Sequence, residues 1–173
     1  MTIKIGEPAP DFELEALVNG EIKSIHLADY SGKWVVLFFW PLDFTFVCPT
    51  EIRAFNELYD EFSKHDAVVL GASVDSVYSH KAWTDGALGK IRFPMLSDFK
   101  KEVAECYGIL NHEKGVALRG TFIIDPEGIV RYMVVSDLNV GRSANETLRV
   151  LQAFQTGELC PIDWKPGQKT LGK

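Results

Sequence analysis

The hydrophobic residues of the chain fall into short continuous runs, and the segments between them carry a helical period. Two runs, at residues 34–40 and 67–73, are apolar at nearly every position, which is typical of strands covered on both faces of a sheet. Between them, residues 50–64 repeat apolar side chains every three or four positions, and this spacing predicts an amphipathic helix. The order predicts a right-handed βαβ unit, with the strand at 34–40 in the middle of the sheet.

Weaker signals flank this unit on both sides. Asn19-Gly20, a strong two-residue turn signal, predicts a hairpin near the N-terminus. A helix is predicted at residues 76–83, with Asp75 or Ser76 as its N-cap. Residues 93–96 form a short strand-like link.

The second half of the chain predicts an antiparallel unit. Runs at 120–124 and 129–135 flank residues 125–128, whose Asp-Pro-Glu-Gly sequence suits a type I turn. Ser143 or Asn145 then caps an amphipathic helix. A βαβ unit followed by a ββα unit is the thioredoxin arrangement. The sequence therefore predicts an α/β protein with a thioredoxin-like fold, an N-terminal hairpin extension and a C-terminal tail.

Length and composition set the domain organisation. A chain of 173 residues suits one domain with a sizeable core, and we place this domain at residues 1–156. Residues 157–173 carry Gly, Pro and Lys with little periodicity, so we expect an extended, mobile arm there.

Charge and hydropathy exclude several kinds of partner. The net charge of −6 argues against a nucleic-acid groove or an anionic membrane surface. No apolar run approaches about 18 residues, and the first residues, MTIKIGEPAP, lack the core of a secretory leader. We therefore expect a cytoplasmic protein that does not contact membranes, in which the three cysteines are thiols rather than a disulfide framework.

Cys48 stands where the first buried strand passes into the helix. The N–H groups of a helix's first turn lack partners, and the helix dipole places partial positive charge there. A thiol at that point is stabilised as the thiolate, the nucleophilic form. Free cysteines are more often inert packing, but Pro41 and Thr45 lie seven and three residues upstream and do not suit a packed strand. Thr45 offers a hydroxyl that can donate and accept hydrogen bonds.

The pattern Pro41-x-x-x-Thr45-x-x-Cys48, within WPLDFTFVCPTE, resembles the active-site signature of peroxiredoxins, and closely that of the typical two-cysteine class. The resemblance extends over nearly the whole chain. It implies that the Cys48 thiolate attacks hydrogen peroxide or an organic hydroperoxide and becomes a sulfenic acid, without a cofactor. Arg119, in LRGTF, matches the family's active-site arginine, and Glu51 and Arg142 match positions that support it.

Two cysteines remain as partners for an oxidised Cys48. Val103, Cys106 and Tyr107 fall at helical spacing in a short helix at 102–107, so we interpret Cys106 as a core residue. Cys160 lies in the arm, where a thiol can reach a distant sulfenic acid.

The resemblance favours Cys160, because ELCPIDWKPG is similar to the resolving site of two-cysteine peroxiredoxins, which acts on the neighbouring subunit. It implies a homodimer, assembled as a pentamer of dimers with contacts near Phe44 and Phe46, and reduction by thioredoxin or a dedicated flavoprotein disulfide reductase. Residues 86–89, Gly-Ala-Leu-Gly, resemble the family's Gly-Gly-Leu-Gly loop, but the C-terminal Tyr-Phe helix of peroxide-sensitive members is absent from the sequence. We therefore expect an enzyme that resists overoxidation.

Other chemistries find less support. The histidines show no metal-ligand spacing with the cysteines, so we expect no metal. We interpret all four as surface or loop residues, at His26, His65, His80 and His112.

Two alternative functions remain open. A general thiol-disulfide oxidoreductase has the same fold, although only one cysteine lies at the strand-to-helix turn. A ring-forming holdase chaperone or redox-relay binding protein would need exposed apolar surface rather than turnover.

Overall fold

A computed structural model describes residues 3–173 of the protein. Its secondary structure begins with a hairpin and ends with a helix followed by an irregular arm. In chain order the strands are β1 (Glu13–Val18), β2 (Glu21–His26), β3 (Trp34–Phe39), β4 (Ala67–Ser73), β5 (Met95–Ser97), β6 (Leu110–Asn111), β7 (Val116–Ala117), β8 (Arg119–Ile124) and β9 (Val130–Ser136). The α-helices are α1 (Cys48–Glu57), α2 (Tyr59–Lys64), α3 (Val77–Asp85), α4 (Glu102–Cys106) and α5 (Ala144–Gln155).

Seven strands form one mixed sheet in the order β2-β1-β5-β4-β3-β8-β9. β3 pairs parallel with β4 and antiparallel with β8, so the strand with the most continuous apolar sequence lies inside the sheet, as predicted. The predicted hairpins are β1–β2 and β8–β9. The β3-α1-β4 crossover and the β8-β9-α5 unit together confirm the thioredoxin-like fold with an N-terminal hairpin.

The two faces of the sheet carry separate hydrophobic cores. Successive side chains of a strand point to opposite faces. Val36 and Phe38 of β3 therefore pack under α1, α2, α3 and α5, whereas Leu37 and Phe39 pack with α4 and the N-terminal segment. Phe38 stacks on Phe55 of α1 with ring centroids 4.2 Å apart. This contact fixes the axis of α1, and with it the position of the helix's first residue.

The helix after β3 differs from its prediction in two ways. It begins at Cys48, two residues earlier than predicted, so Pro49 is its second residue. It is also interrupted at Leu58, where the backbone leaves helical geometry (φ −88°, ψ 5°) before α2 begins. Phe55 and Phe62, on either side of the interruption, are both fully buried. The apolar face is therefore continuous although the helix is not.

The C-terminal arm is doubled back rather than extended. The Leu159 N–H donates to the Gly172 carbonyl and the Leu171 N–H to the Leu159 carbonyl, both at 2.8 Å. Between these ends Trp164 is buried, with its indole N–H donating to the Gln168 carbonyl at 3.0 Å. The prediction of an extended arm is wrong because Trp164 gives this segment a small apolar contact of its own.

Two further predictions are wrong. His80 is fully buried on α3 rather than at the surface, because Asp43 from a distant turn pairs with it. Cys106 is exposed rather than core, because α4 packs through Val103 and Ala104 instead. Within residues 3–173, no helix combines the length and the apolar character needed to cross a membrane.

Candidate active site

The turn between β3 and α1 places a buried thiol at a helix N-terminus. Cys48 is the first residue of α1 and only 1% exposed. The turn before it contains Phe44 in the left-handed region (φ 56°), a conformation that non-glycine residues rarely adopt. Because Cys48 is the first residue of α1, it lies at the positive end of the helix dipole.

Arg119, the first residue of β8, lies against this sulfur. Its Nη1 is 3.5 Å from Cys48 Sγ and 2.6 Å from Glu51 Oε2. Its Nε and Nη2 both donate to the Leu138 carbonyl, at 3.0 and 2.7 Å. With 3% exposure and these bonds, the guanidinium is held in one orientation.

Glu51 joins Arg119 to a second buried arginine. Glu51 Oε1 accepts from the backbone N–H and the Nε of Arg142, both at 2.8 Å. Arg142 also donates to the carbonyls of Gly120 and Phe39. Burial lowers the pKa of Arg142, and its bonds to Glu51 oppose that change.

The charged side chains of this buried cluster do not sum to zero net charge. Arg119 and Arg142 contribute two positive charges, and Glu51 contributes one negative charge. A buried charge needs compensation, and the cluster presents its one uncompensated positive charge beside the Cys48 sulfur.

The four residues of the predicted site meet in one pocket of about 420 Å³, lined by Pro41, Thr45, Cys48 and Arg119 together with neighbouring residues. The Thr45 hydroxyl donates to the Leu42 carbonyl at 2.9 Å, which leaves its oxygen as an acceptor toward a ligand. The pocket thus offers a guanidinium donor, a hydroxyl acceptor and the sulfur to the same ligand.

The sequence did not indicate part of the pocket wall. Lys114 and Val116 come from the small β6–β7 hairpin, and Leu138 and Asn139 from the loop after β9. Two-residue strands carry no periodicity, and Leu138 acts on Arg119 through its backbone carbonyl, a group present in every residue. Only the folded chain identifies these positions.

Cys160 lies at the end of α5 remote from Cys48. The start of α5 reaches the site, since Arg142 bonds Glu51 just before it. Cys160 Sγ instead contacts the Ala153 carbonyl at 3.7 Å, at the other end. α5 has 12 residues, so its ends are about 18 Å apart at 1.5 Å per residue.

Comparison with known proteins decides the family. The model of the AhpC/TSA family matches residues 5–133. The chain belongs to the AhpC/TSA family. It is 55% identical over 175 residues to a putative peroxiredoxin in a rubredoxin operon of Clostridium pasteurianum, covering 96% of this chain and 98% of that one.

Solved peroxiredoxin structures share its fold. The reduced 2-Cys peroxiredoxin of Plasmodium vivax superposes with a TM-score of 0.92 at 39% identity, covering 95% of this chain and 91% of that one. AhpC of Mycobacterium tuberculosis gives a TM-score of 0.87 at 42% identity, covering 95% and 100%. The protein is therefore a peroxiredoxin-family enzyme, a thiol peroxidase that acts on peroxides at the expense of a thiol reductant.

Proposed function

We propose that this peroxidase works by a two-cysteine mechanism, with Cys48 as the thiol that attacks peroxide and Cys160 of a second subunit as the resolving thiol. The observation that carries the proposal is the buried contact between Arg119 and the Cys48 sulfur, within a cluster that lacks one negative charge. The substrates would be hydrogen peroxide and organic hydroperoxides.

In the first step, the Cys48 thiolate attacks one peroxide oxygen. An S–O bond forms, the O–O bond breaks, and the leaving oxygen departs with the electron pair and takes a proton to become water or an alcohol. Arg119 and the N–H groups at the start of α1 would stabilise the charge that moves onto the leaving oxygen. Thr45 would orient the peroxide, because its hydroxyl oxygen can accept a hydrogen bond from the peroxide O–H group. Pro41 would shield the sulfur from solvent.

In the second step, a Cys160 thiolate attacks the sulfenic sulfur, a disulfide forms, and the sulfenic oxygen leaves as water. Two cysteines form a disulfide only when their Cα atoms come within about 7 Å. The position of Cys160 at the remote end of α5 therefore supports attack from a partner subunit. Cys48 is buried at the start of α1, so the first turn of that helix must unwind before the disulfide forms.

The sheet supports a homodimer. β9 is at one end of the seven-stranded sheet, and three consecutive apolar residues on it are about 40% exposed, namely Met133, Val134 and Val135. An apolar edge strand is a template for pairing with another chain. Phe44 and Phe46, 59% and 94% exposed, would supply the separate contact between dimers in a pentamer of dimers.

The reductant would be an external dithiol protein, either thioredoxin or a flavoprotein disulfide reductase. Such a cycle needs a compartment that keeps dithiols reduced, which supports the cytoplasm as its location.

Three serine variants test the assignment of the thiols. Cys48→Ser should abolish peroxide consumption with any thiol reductant. Cys160→Ser should still form a sulfenic acid at Cys48 but lose turnover with a dithiol protein, and it should give no disulfide-linked dimer on a non-reducing gel. Cys106→Ser is the matched control and should behave as wild type. Turnover that persists in Cys48→Ser would overturn the proposal.

A further inference from the structure

A second buried polar cluster lies behind the active-site turn, and the chemistry described above does not use it. Its centre is Asp43, whose side chain is 1% exposed. The carboxylate accepts hydrogen bonds from Trp40 Nε1 at 2.9 Å, Ser79 Oγ at 2.8 Å and His80 Nδ1 at 2.6 Å. Ser73 Oγ, at the end of β4, makes a longer contact of 3.4 Å.

His80 is the buried side-chain partner of Asp43 at the centre of this cluster. Its side chain is fully buried, and its second ring nitrogen, Nε2, is 3.0 Å from the Leu96 carbonyl. Both ring nitrogens thus face oxygen atoms, one of a carboxylate and one of a backbone carbonyl, so each makes a hydrogen bond within the core.

This pair fixes the part of the turn that carries Thr45. The Asp43 backbone N–H donates to Asp75 Oδ2 at 2.7 Å, so Asp43 is held through both its side chain and its main chain. Phe44, the next residue, has the left-handed backbone (φ 56°), which persists only where the surrounding contacts hold it. Its ring lies 5.6 Å from that of Trp83 on α3.

We propose that Asp43 and His80 are positioning residues for the peroxidase reaction, which hold the turn so that the Thr45 oxygen faces the peroxide. Neither residue lines the pocket, so neither touches the substrate. They act by tying the turn to α3, β4 and β5. The inference rests on the proposed roles of Cys48 and Thr45.

The test compares two reactions of the same sulfur. Oxidation by hydrogen peroxide needs an oriented oxygen ligand, whereas alkylation by iodoacetamide needs only the thiolate. In Asp43→Asn, the rate constant for peroxide should fall about tenfold to a hundredfold, since a displacement near 1 Å costs about that much, and the alkylation rate should stay within about twofold of wild type. Unchanged peroxide kinetics, or an equal loss in both reactions, would overturn the proposal.

A matched control separates positioning from stability. Asp125 is another buried turn carboxylate, which accepts from the N–H groups of Glu127 and Ile129. It follows the end of β8 opposite to Arg119. Asp125→Asn should lower the unfolding temperature and leave both rates unchanged. A selective loss of peroxide rate in this control would also overturn the proposal.

A double variant tests whether Asp43 acts through Thr45. Thr45→Val removes the hydroxyl, so adding Asp43→Asn should cause no further loss of peroxide rate. Losses that multiply would refute the coupling.

Should Asp43→Asn fail to fold, Ser79→Ala removes a single bond to Asp43 and should slow only the peroxide reaction, by about two- to fivefold. An unchanged peroxide rate in Ser79→Ala would count against the proposed role of Asp43 and His80. Cys48→Ser separates a failure of this proposal from a failure of the proposed function. Peroxide turnover that persists in Cys48→Ser would contradict the two-cysteine mechanism, whereas the Asp43 variants test only the positioning role.

Discussion

At the scale of single residues, Glu51 determines how the site's positive charge is arranged. Its carboxylate is 1% exposed and bonds both Arg119 and Arg142. Neither arginine has another described carboxylate within salt-bridge distance. Removing the charge of Glu51 therefore leaves both buried guanidinium groups without a carboxylate partner.

We expect Glu51→Gln to lower the free energy of unfolding by about 3 kcal/mol, the typical cost of breaking a buried ion pair from one side. It should also slow peroxide reduction, because Arg119 loses the bond that orients it. Urea denaturation and stopped-flow oxidation measure the two effects.

The matched control is Glu146→Gln, which breaks a surface pair with Arg149. We expect it to cost less than about 1 kcal/mol and to leave the peroxide rate unchanged. Similar stability losses in the two variants would contradict the account of Glu51.

At the scale of secondary-structure elements, the two ends of α1 are held differently. The loop at residues 86–92 is bonded to the later turns of the helix: Arg53 Nη2 donates to the Ala87 carbonyl at 2.7 Å, and Asn56 Oδ1 accepts from the Arg92 N–H at 2.8 Å. No such bond to this loop is described for the first turn, which carries Cys48. The loop therefore opposes unwinding of α1 beyond the first turn, the turn that would open in the proposed mechanism.

This arrangement predicts the outcome of overoxidation. Mass spectrometry after millimolar peroxide should show mainly disulfide in the wild-type protein. Arg53→Ala loosens the helix from the loop, so the peroxide concentration that gives half-maximal sulfinic acid should rise, by about two- to fivefold for one hydrogen bond. The control Lys81→Ala breaks a surface pair on α3 and should change nothing. A lower threshold in Arg53→Ala would contradict the prediction.

The elements also show what the sequence could predict. The strand before Cys48 is predictable because burial on both faces requires apolar side chains at every position. The helical period predicts the helix that follows it, but not the first turn of that helix. Thr45 and Arg119 are predicted as site residues through the resemblance of their segments to peroxiredoxin motifs.

The errors arise where a distant contact overrides the local pattern. α4 has only five residues, too few for the period to determine its buried face, and Cys106 was misplaced for this reason. His80 is buried because Asp43 lies beside it in the fold, a pairing across 37 positions that no periodicity reveals.

At the scale of the whole molecule, the two edges of the sheet differ. β2 forms one end and β9 the other. On β2, the exposed large hydrophobic residue is Ile22 (40%), flanked by charged and polar residues. The contiguous apolar residues at 133–135 of β9 make it the better edge for a second copy.

We expect the double variant Met133→Glu/Val135→Glu to sediment as a smaller species than the wild-type protein, because a two-fold axis at β9 brings like charges together. It should still form the sulfenic acid at Cys48 but not the intersubunit disulfide. Ile22→Glu, on the opposite edge, should leave the assembly unchanged. A β9 variant that sediments like the wild-type protein and still forms the disulfide would place the dimer interface elsewhere.

The hydrogen bonds that join Leu159 to Leu171 and Gly172 bear on how the proposed resolving thiol, Cys160, would reach a partner subunit. Cys160 lies within the backbone loop that these hydrogen bonds close, so it is not on a free, extended segment. For Cys160 to act as the proposed resolving thiol, either this folded segment would move as one unit or its backbone hydrogen bonds would break first. The rate of disulfide formation would then depend on those bonds as well as on the reactivity of the two thiols.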